Sequence, residues 1–260
     1  GFIWKETSLI KDIYIVPMAG DDGIGIGANM AYCIENISRI RSAYSLENVY
    51  LGNEYSDEEI KYSIENFELR NDFKNLQQYL SLTKFLELSC EPEELKETLL
   101  DSHGYNDMNG IVKNFLRDRM STPENLTRYV AKCISEGKII GWFQGRMEAG
   151  PRALGARSIL GDPRRMQSLD SINRKVKFRQ SWRPFCPTVL DEDGEKYFKK
   201  VTQSPYMINT FDVTKLAEKD APAIVHVDKT ARPQFLNKKT NPLYYSLLSE
   251  FKMLTGVPIL

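Results

Sequence analysis

The chain has 260 residues, 42% of them hydrophobic and 27% charged, which is enough to build a sizeable core and too apolar for a disordered or fibrous chain. Thirty-five basic residues balance thirty-five acidic ones, which excludes a globally basic nucleic-acid binder and an acidic-tail protein, although local asymmetry survives inside a zero sum. No stretch approaches about eighteen consecutive apolar residues, and Gly1-Phe-Ile-Trp-Lys-Glu6 has neither the basic region nor the apolar run of a signal peptide. A cytoplasmic protein with no membrane partner is therefore expected.

In chain order, Ile13-Tyr-Ile-Val16 reads as a short strand, Gly20 to Gly27 as a glycine-rich turn, and Ala28 to Ile40 as a helix. Residues 44 to about 120 are charged and mostly helical, with a capping box at Ser56-Asp-Glu-Glu59 and a second helical stretch from Pro92 to Leu100. They read as a connector without chemistry. Thr122-Pro123-Glu124 then starts a helix whose apolar face is Leu126, Tyr129, Val130, Cys133 and Ile134, and Gly137 ends it. Lys138 to Gln144 reads as a buried strand.

Cys33, Cys90, Cys133 and Cys186 are far apart and show no CxxC spacing, so free thiols, most of them buried, are expected. His103 and His226 are the only histidines, too few for a histidine-rich metal site within the chain. The chain lacks an initiator Met, and Thr255-Gly-Val-Pro-Ile-Leu260 reads as a strand cut short, so a fragment is expected.

The charge is not evenly spread. From Lys138 to Arg183 there are eleven basic residues and three acidic ones, a surplus of eight inside a neutral chain. Arginine dominates, and its planar fork suits phosphate and carboxylate oxygens. In Gly145-Arg-Met-Glu-Ala-Gly-Pro-Arg-Ala-Leu-Gly-Ala-Arg-Ser158 arginine alternates with glycine, so backbone amides and guanidinium groups can meet one anion, and Pro151 stiffens the turn that carries Arg152. A second cluster, Asn173 to Phe185, places Arg183 before a proline between aromatics, a setting that can desolvate a guanidinium.

These residues carry a resemblance. Gly141-Trp-Phe-Gln-Gly-Arg-Met-Glu148, Gly150-Pro-Arg-Ala-Leu-Gly155, Arg157-Ser-Ile-Leu160, Arg183-Pro-Phe185 and Thr230-Ala-Arg232 with Gln234 strongly resemble the O-carbamoyltransferases of nodulation-factor and antibiotic biosynthesis. The first region, Ile13 to Ala28, resembles the end of that family's N-terminal domain. The resemblance implies an α/β fold. Residues 125–260 would form a YrdC-like mixed twisted sheet with helices, residues 1–43 the end of an actin-like ATPase-fold domain, and residues 44–124 a helical connector.

The resemblance further implies an enzyme that takes carbamoyl phosphate and ATP to carbamoyl-adenylate and passes the carbamoyl group to a hydroxyl of a small-molecule acceptor. Arg146, Arg152 and Arg157 would meet phosphate and carbamoyl oxygens, Ser158 would support them, and Arg183 would meet the nucleotide phosphates. Arg232, Gln234 and His226 would line the pocket. Asp21 would complete the site of a divalent ion, iron or magnesium, in the parent enzyme. The family continues past Leu260 with residues that help hold the adenylate, so an isolated fragment need not be active.

Three other readings are weighed. Gly23-x-Gly25-x-x-Ala28 approaches a dinucleotide fingerprint, but Asp21 and Asp22 would face the pyrophosphate. A nucleic-acid-binding module could use the basic 138–183 stretch, although glycine- and proline-framed arginines favour a pocket, and no nucleic-acid partner is expected. A threonylcarbamoyl-type tRNA-modifying or hydrogenase-maturation enzyme would share the adenylate chemistry and differ in acceptor. The acceptor itself and the oligomeric state stay open on the sequence alone.

Overall fold

The computed structural model of the chain describes residues 17, 18, 20, 23–36, 48–60, 62, 63 and 123–260. The strand expected at 13–16, the Pro92–Leu100 helix, the cap Thr122, and Asp21, Asp22, Cys90 and His103 lie outside the described residues. The chain divides into two units, Gly1–Glu54 with Leu126–Leu260, and Tyr55–Asn125. In the second unit the capping box forms as its spacing predicts. The Glu59 amide donates to Ser56 Oγ at 3.2 Å and the Ser56 amide donates to Glu59 Oε2 at 2.8 Å, at the start of a helical turn over 57–60.

In the first unit, α1 (Ile24–Asn36) starts at Ile24, inside the glycine-rich segment, and not at Ala28. Gly25 and Gly27 therefore lie in a helix, so the loop that a dinucleotide fingerprint requires before its helix is not formed by these two glycines. Helix α2 (Pro123–Ser135) buries Thr127, Val130, Ala131, Cys133 and Ile134, with Leu126 and Tyr129 packed at the core's edge. It ends at Gly137, whose φ of 92° lets its amide reach the Ile134 carbonyl at 2.8 Å while the Lys138 amide reaches Cys133 at 3.0 Å. That is a Schellman-type stop, for which the sequence supplies glycine.

Strand β1 (Ile140–Phe143) pairs antiparallel with β2 (Arg157–Leu160). The segment 138–144 was expected to be buried throughout, yet within β1 only Trp142 is buried while Gly141 and Phe143 are exposed. A two-stranded ribbon covered on one face needs only alternate residues inside. Helix α3 (Met166–Ser171) runs directly into a π-helical turn, Ile172–Val176, closed by the Lys177 amide on the Ile172 carbonyl at 2.8 Å.

Strand β3 (Thr188–Leu190) is buried along its length. After it come α4 (Gly194–Tyr197), β4 (Phe211–Asp212), α5 (Lys215–Asp220), β5 (Thr230–Ala231), β6 (Gln234–Leu236) and α6 (Pro242–Thr255). β3 runs parallel to β6 on one side. On the other it meets the end of the chain: Val189 sits opposite Ile259, and Thr188 and Leu260 exchange backbone bonds of 2.7 and 2.9 Å. β4 and β5 pair antiparallel. Helix α6 is capped by Asn241, whose Oδ1 accepts from the Tyr244 amide at 3.1 Å. Pro242 sits in its first turn, and the Gly256 amide closes on the Lys252 carbonyl.

Ile134, Val189, Phe211, Leu247, Leu248, Phe251 and Ile259 are fully buried between these elements, each stabilising the fold by about 1.5–3 kcal/mol. The result is a mixed α/β domain with small sheets. Among the described residues no helix is long and apolar enough to cross a membrane. Of the described cysteines only Cys133 is buried. Cys33 is half-buried, and Cys186 is exposed because it stands in the wall of a cleft.

Candidate functional site

The cleft lies between the start of β2, the π-helical turn and the segment leading into β3, with a volume of about 210 Å³. Arg152, Ser158, Lys177, Arg179, Cys186 and Tyr244 contribute to its wall together with the terminal Leu260, and no Asp or Glu side chain among the described residues does. Cationic side chains without Asp or Glu among them give such a cleft the chemistry to accept an anion.

The loop from Gln144 to Ala156 carries Arg152 to this wall, and three sets of bonds fix its path. Segment 48–53 pairs with its first half: Met147 donates to Asn53, Gly52 to Met147 and Ala149 to Val49, at 3.1, 2.9 and 2.7 Å. Its second half closes on Glu148, a buried carboxylate whose Oε1 accepts from the amides of Leu154 at 2.7 Å, Ala156 at 2.7 Å and Arg157 at 3.2 Å. The Leu154 carbonyl accepts from Tyr50 OH at 2.8 Å and Gln234 Nε2 at 3.2 Å. Gly155 has φ +99° and lies so close to Tyr244 that a Cβ there would fall 2.2 Å from Tyr244 Cδ1. No other residue fits that approach.

Behind the cleft wall a polar network continues inward. Tyr244 OH donates to Thr188 Oγ1 at 3.2 Å, Thr188 donates to Gln234 Oε1 at 3.0 Å, Asn241 Nδ2 donates to Tyr50 OH at 3.0 Å, and Gln144 Nε2 donates to Asn241 Oδ1 at 2.7 Å. Trp142 Nε1 donates to the Gly155 carbonyl at 3.0 Å. Burial pushes the Tyr50 phenol up despite the bond from Asn241, and burial likewise pushes Tyr244 up. Both stay neutral and act as structural bridges.

The arginines of the basic stretch divide into two groups. Arg164 and Arg165 are spent on the buried Asp162, at 2.8 and 3.1 Å, and on the carbonyl of Ser135 at the end of α2. Arg174 pairs with Asp170. Arg146 is exposed, 3.5 Å from Glu54. Arg157 lies over the Phe143 ring at 3.5 Å and donates to the carbonyls of Gln144, Ala156 and Gly145 at 2.8, 2.9 and 3.0 Å, which ties down the start and end of the loop. In the second group Arg152 and Arg179 line the cleft, with Arg232 and Arg183 as their neighbours. Burial, then the charge of neighbouring Arg232, pushes the Arg152 guanidinium below its ordinary value, and burial, then Arg183, does the same to Arg179. No described carboxylate neutralises either pair. Arg232 Nη2 donates to Cys186 Sγ at 3.1 Å, and its buried Nε has no hydrogen-bond partner.

Of the residues singled out from sequence, Arg152 and Ser158 line the cleft, with Ser158 Oγ accepting from the Gly155 amide at 3.0 Å. Arg232 stands beside Arg152, and Arg183 beside Arg179. Arg183 is itself exposed and Trp182 is 62% exposed, so the desolvation expected at 183 falls on Arg179. Gln234 sits behind the wall in the buried network. His226 lies in the turn before β5 with Nδ1 2.9 Å from Asp228 Oδ1, outside the cleft lining. The bonds from Thr230 and then His226 hold Asp228 down to about 2. Asp21 lies outside the described residues, and among those described no group of three or more His, Cys, Asp or Glu is placed to hold a metal.

Sequence reasoning missed Glu148, Lys177, Arg179 and Cys186. Glu148 did leave a signal, being the sole acid between Lys138 and Gly161. Tyr50, Thr188 and Asn241 left none, since Asn241 and Tyr50 are 191 positions apart.

The model for the carbamoyltransferase C-terminus matches residues 131–260. The chain is 34% identical over 98% of its length to an uncharacterized protein of Methanocaldococcus jannaschii, of which it covers 34%. It is 44% identical over 53% of its length to nodulation protein NolO of Bradyrhizobium diazoefficiens, covering 26% of that protein. It is also 38% identical over 50% of its length to nodulation protein U of Sinorhizobium fredii, covering 23% of it. The chain thus spans about a third or less of these relatives.

Proposed function

Because the chain belongs to the carbamoyltransferase family, we propose that it is part of an ATP-dependent O-carbamoyltransferase whose arginine-lined cleft binds carbamoyl phosphate and the phosphates of ATP. The carbamate oxygen would attack the α-phosphorus of ATP, giving carbamoyl-adenylate and pyrophosphate, while phosphate leaves with one water consumed. The carbamoyl group would then pass to a hydroxyl of a small acceptor. A cytoplasmic location fits these substrates.

One observation supports this reading: Arg152 and Arg179 line a cleft that has no Asp or Glu side chain in its wall, and each has a second arginine, Arg232 or Arg183, as a neighbouring like charge. Placing cations side by side costs Coulomb energy, which a bound polyanion recovers. Charge that develops on phosphoryl oxygens in the transition state is stabilised by donors already in place. Arg146, exposed at the entrance to the same loop, would meet incoming anions, and Arg157 would hold that loop. The divalent ion implied for the parent enzyme acquires no ligand set from the described residues, so no step is routed through it.

The test is pyrophosphate release from ATP by the full-length protein, with and without carbamoyl phosphate. Release that requires carbamoyl phosphate supports the reading. Release that ignores it, or appears only with nucleic acid, overturns it.

A further inference from the structure

We propose that Glu148 is a positioning residue for Arg152, acting through the backbone of the loop that joins them; the proposal rests on the reading of the cleft given above. One carboxylate oxygen, Glu148 Oε1, collects three main-chain amides that lie on the C-terminal side of Arg152: Leu154, Ala156 and Arg157. A carboxylate that accepts several backbone amides away from water makes short, charge-assisted bonds, and two of these are 2.7 Å long. The same residue is gripped from its other side, because the Leu154 carbonyl takes bonds from Tyr50 and Gln234. Leu154 is therefore clamped at both its N–H and its C=O, only two positions beyond Arg152. On either side of Glu148 itself, Met147 and Ala149 are paired with segment 48–53. The strap from 149 to 154 thus has fixed ends, and Arg152 rides on it.

The alternative assignments of Glu148 fail on geometry. It does not line the cleft, so it neither touches the anion nor serves it as a base. It is buried and forms no ion pair with a described cation, so it is not there to neutralise an arginine. Its negative charge is spent wholly on backbone amides, at the one place where a loop must deliver a guanidinium to a defined point. An error of about 1 Å in the placement of such a group can cost on the order of a hundredfold in rate.

The experiment uses the full-length protein. Glu148→Gln keeps the shape and one acceptor oxygen but loses the charge; Glu148→Asp keeps the charge and shortens the reach. Both are compared in the wild-type and the Arg152→Ala backgrounds, reading calorimetric affinity for carbamoyl phosphate and, where active, KM and kcat of pyrophosphate release. For Glu148→Gln the expected result is about a tenfold loss of carbamoyl phosphate affinity in the wild-type background, with a smaller change in the KM for ATP, and less than a twofold loss in the Arg152→Ala background. Glu148→Asp falls between wild type and Glu148→Gln. Equal losses in both backgrounds, or equal rises in KM for both substrates, would mean that Glu148 supports the fold generally, and would overturn the proposal. If Arg152→Ala alone leaves carbamoyl phosphate binding intact, the reading of the cleft fails first and the positioning role falls with it.

Discussion

The Nη2 of Arg232 donates to Sγ of Cys186 at 3.1 Å, which places an exposed thiol against the cation that Arg152 must tolerate as a neighbour. A ligand that fills the cleft would cover this sulfur. Alkylation of Cys186 by iodoacetamide, followed by peptide mass spectrometry, should slow at least tenfold when carbamoyl phosphate and ATP are both present. Buried Cys133 should stay unlabelled throughout. An unchanged rate at Cys186 would place the ligand elsewhere.

Arg152 is in the cleft wall and, among the described residues, pairs with no carboxylate. Arg152→Ala should therefore reduce carbamoyl-phosphate-dependent pyrophosphate release about a hundredfold, on the order of 3 kcal/mol, while relieving repulsion with Arg232 and leaving the melting temperature within a few degrees of wild type. Unfolding by this substitution would show that Arg152 serves the fold.

Gly155 presents the opposite case. Its left-handed backbone, and the 2.2 Å at which an added Cβ would stand from Tyr244 Cδ1, leave no room for a methyl group. Gly155→Ala should destabilise the protein by about 2–4 kcal/mol, lowering the melting temperature by roughly 5–15 °C in a calorimetric scan. A scan that matches wild type would mean that the loop moves away freely.

Asp193 predicts an acid-sensitive contact. Burial raises its carboxyl, but the bonds from Lys196 at 2.7 Å and Lys252 at 2.6 Å outweigh burial and hold it below the usual carboxylate range. A group depressed in the folded state contributes stability that is complete above its unfolded value, near 4, and is lost as pH falls through the folded value. Urea denaturation should show wild-type stability dropping as the pH goes below about 4, with a shallower drop in Asp193→Asn. Parallel pH profiles would remove Asp193 as the cause.

Local features of this chain were legible because they depend on neighbours in sequence. The Ser56–Glu59 box, the Pro123 start and Gly137 stop of α2, its apolar face and the arginine–glycine loop all rest on contacts within a few positions, where spacing and residue type alone set the geometry. What the sequence by itself determined was therefore local geometry and the concentration of guanidinium groups among glycines and prolines, a composition suited to an anion. Which arginines stay free of the protein's own carboxylates and carbonyls was decided only by the tertiary structure. Arg157, Arg164 and Arg165 look like Arg152 in the sequence, yet carbonyls and the buried Asp162 take them, while Arg179, Arg232 and Cys186 converge from segments far apart along the chain. A charged group's role follows from what it is paired with, and pairing across such separations is settled by the packing of β3, β6 and α6.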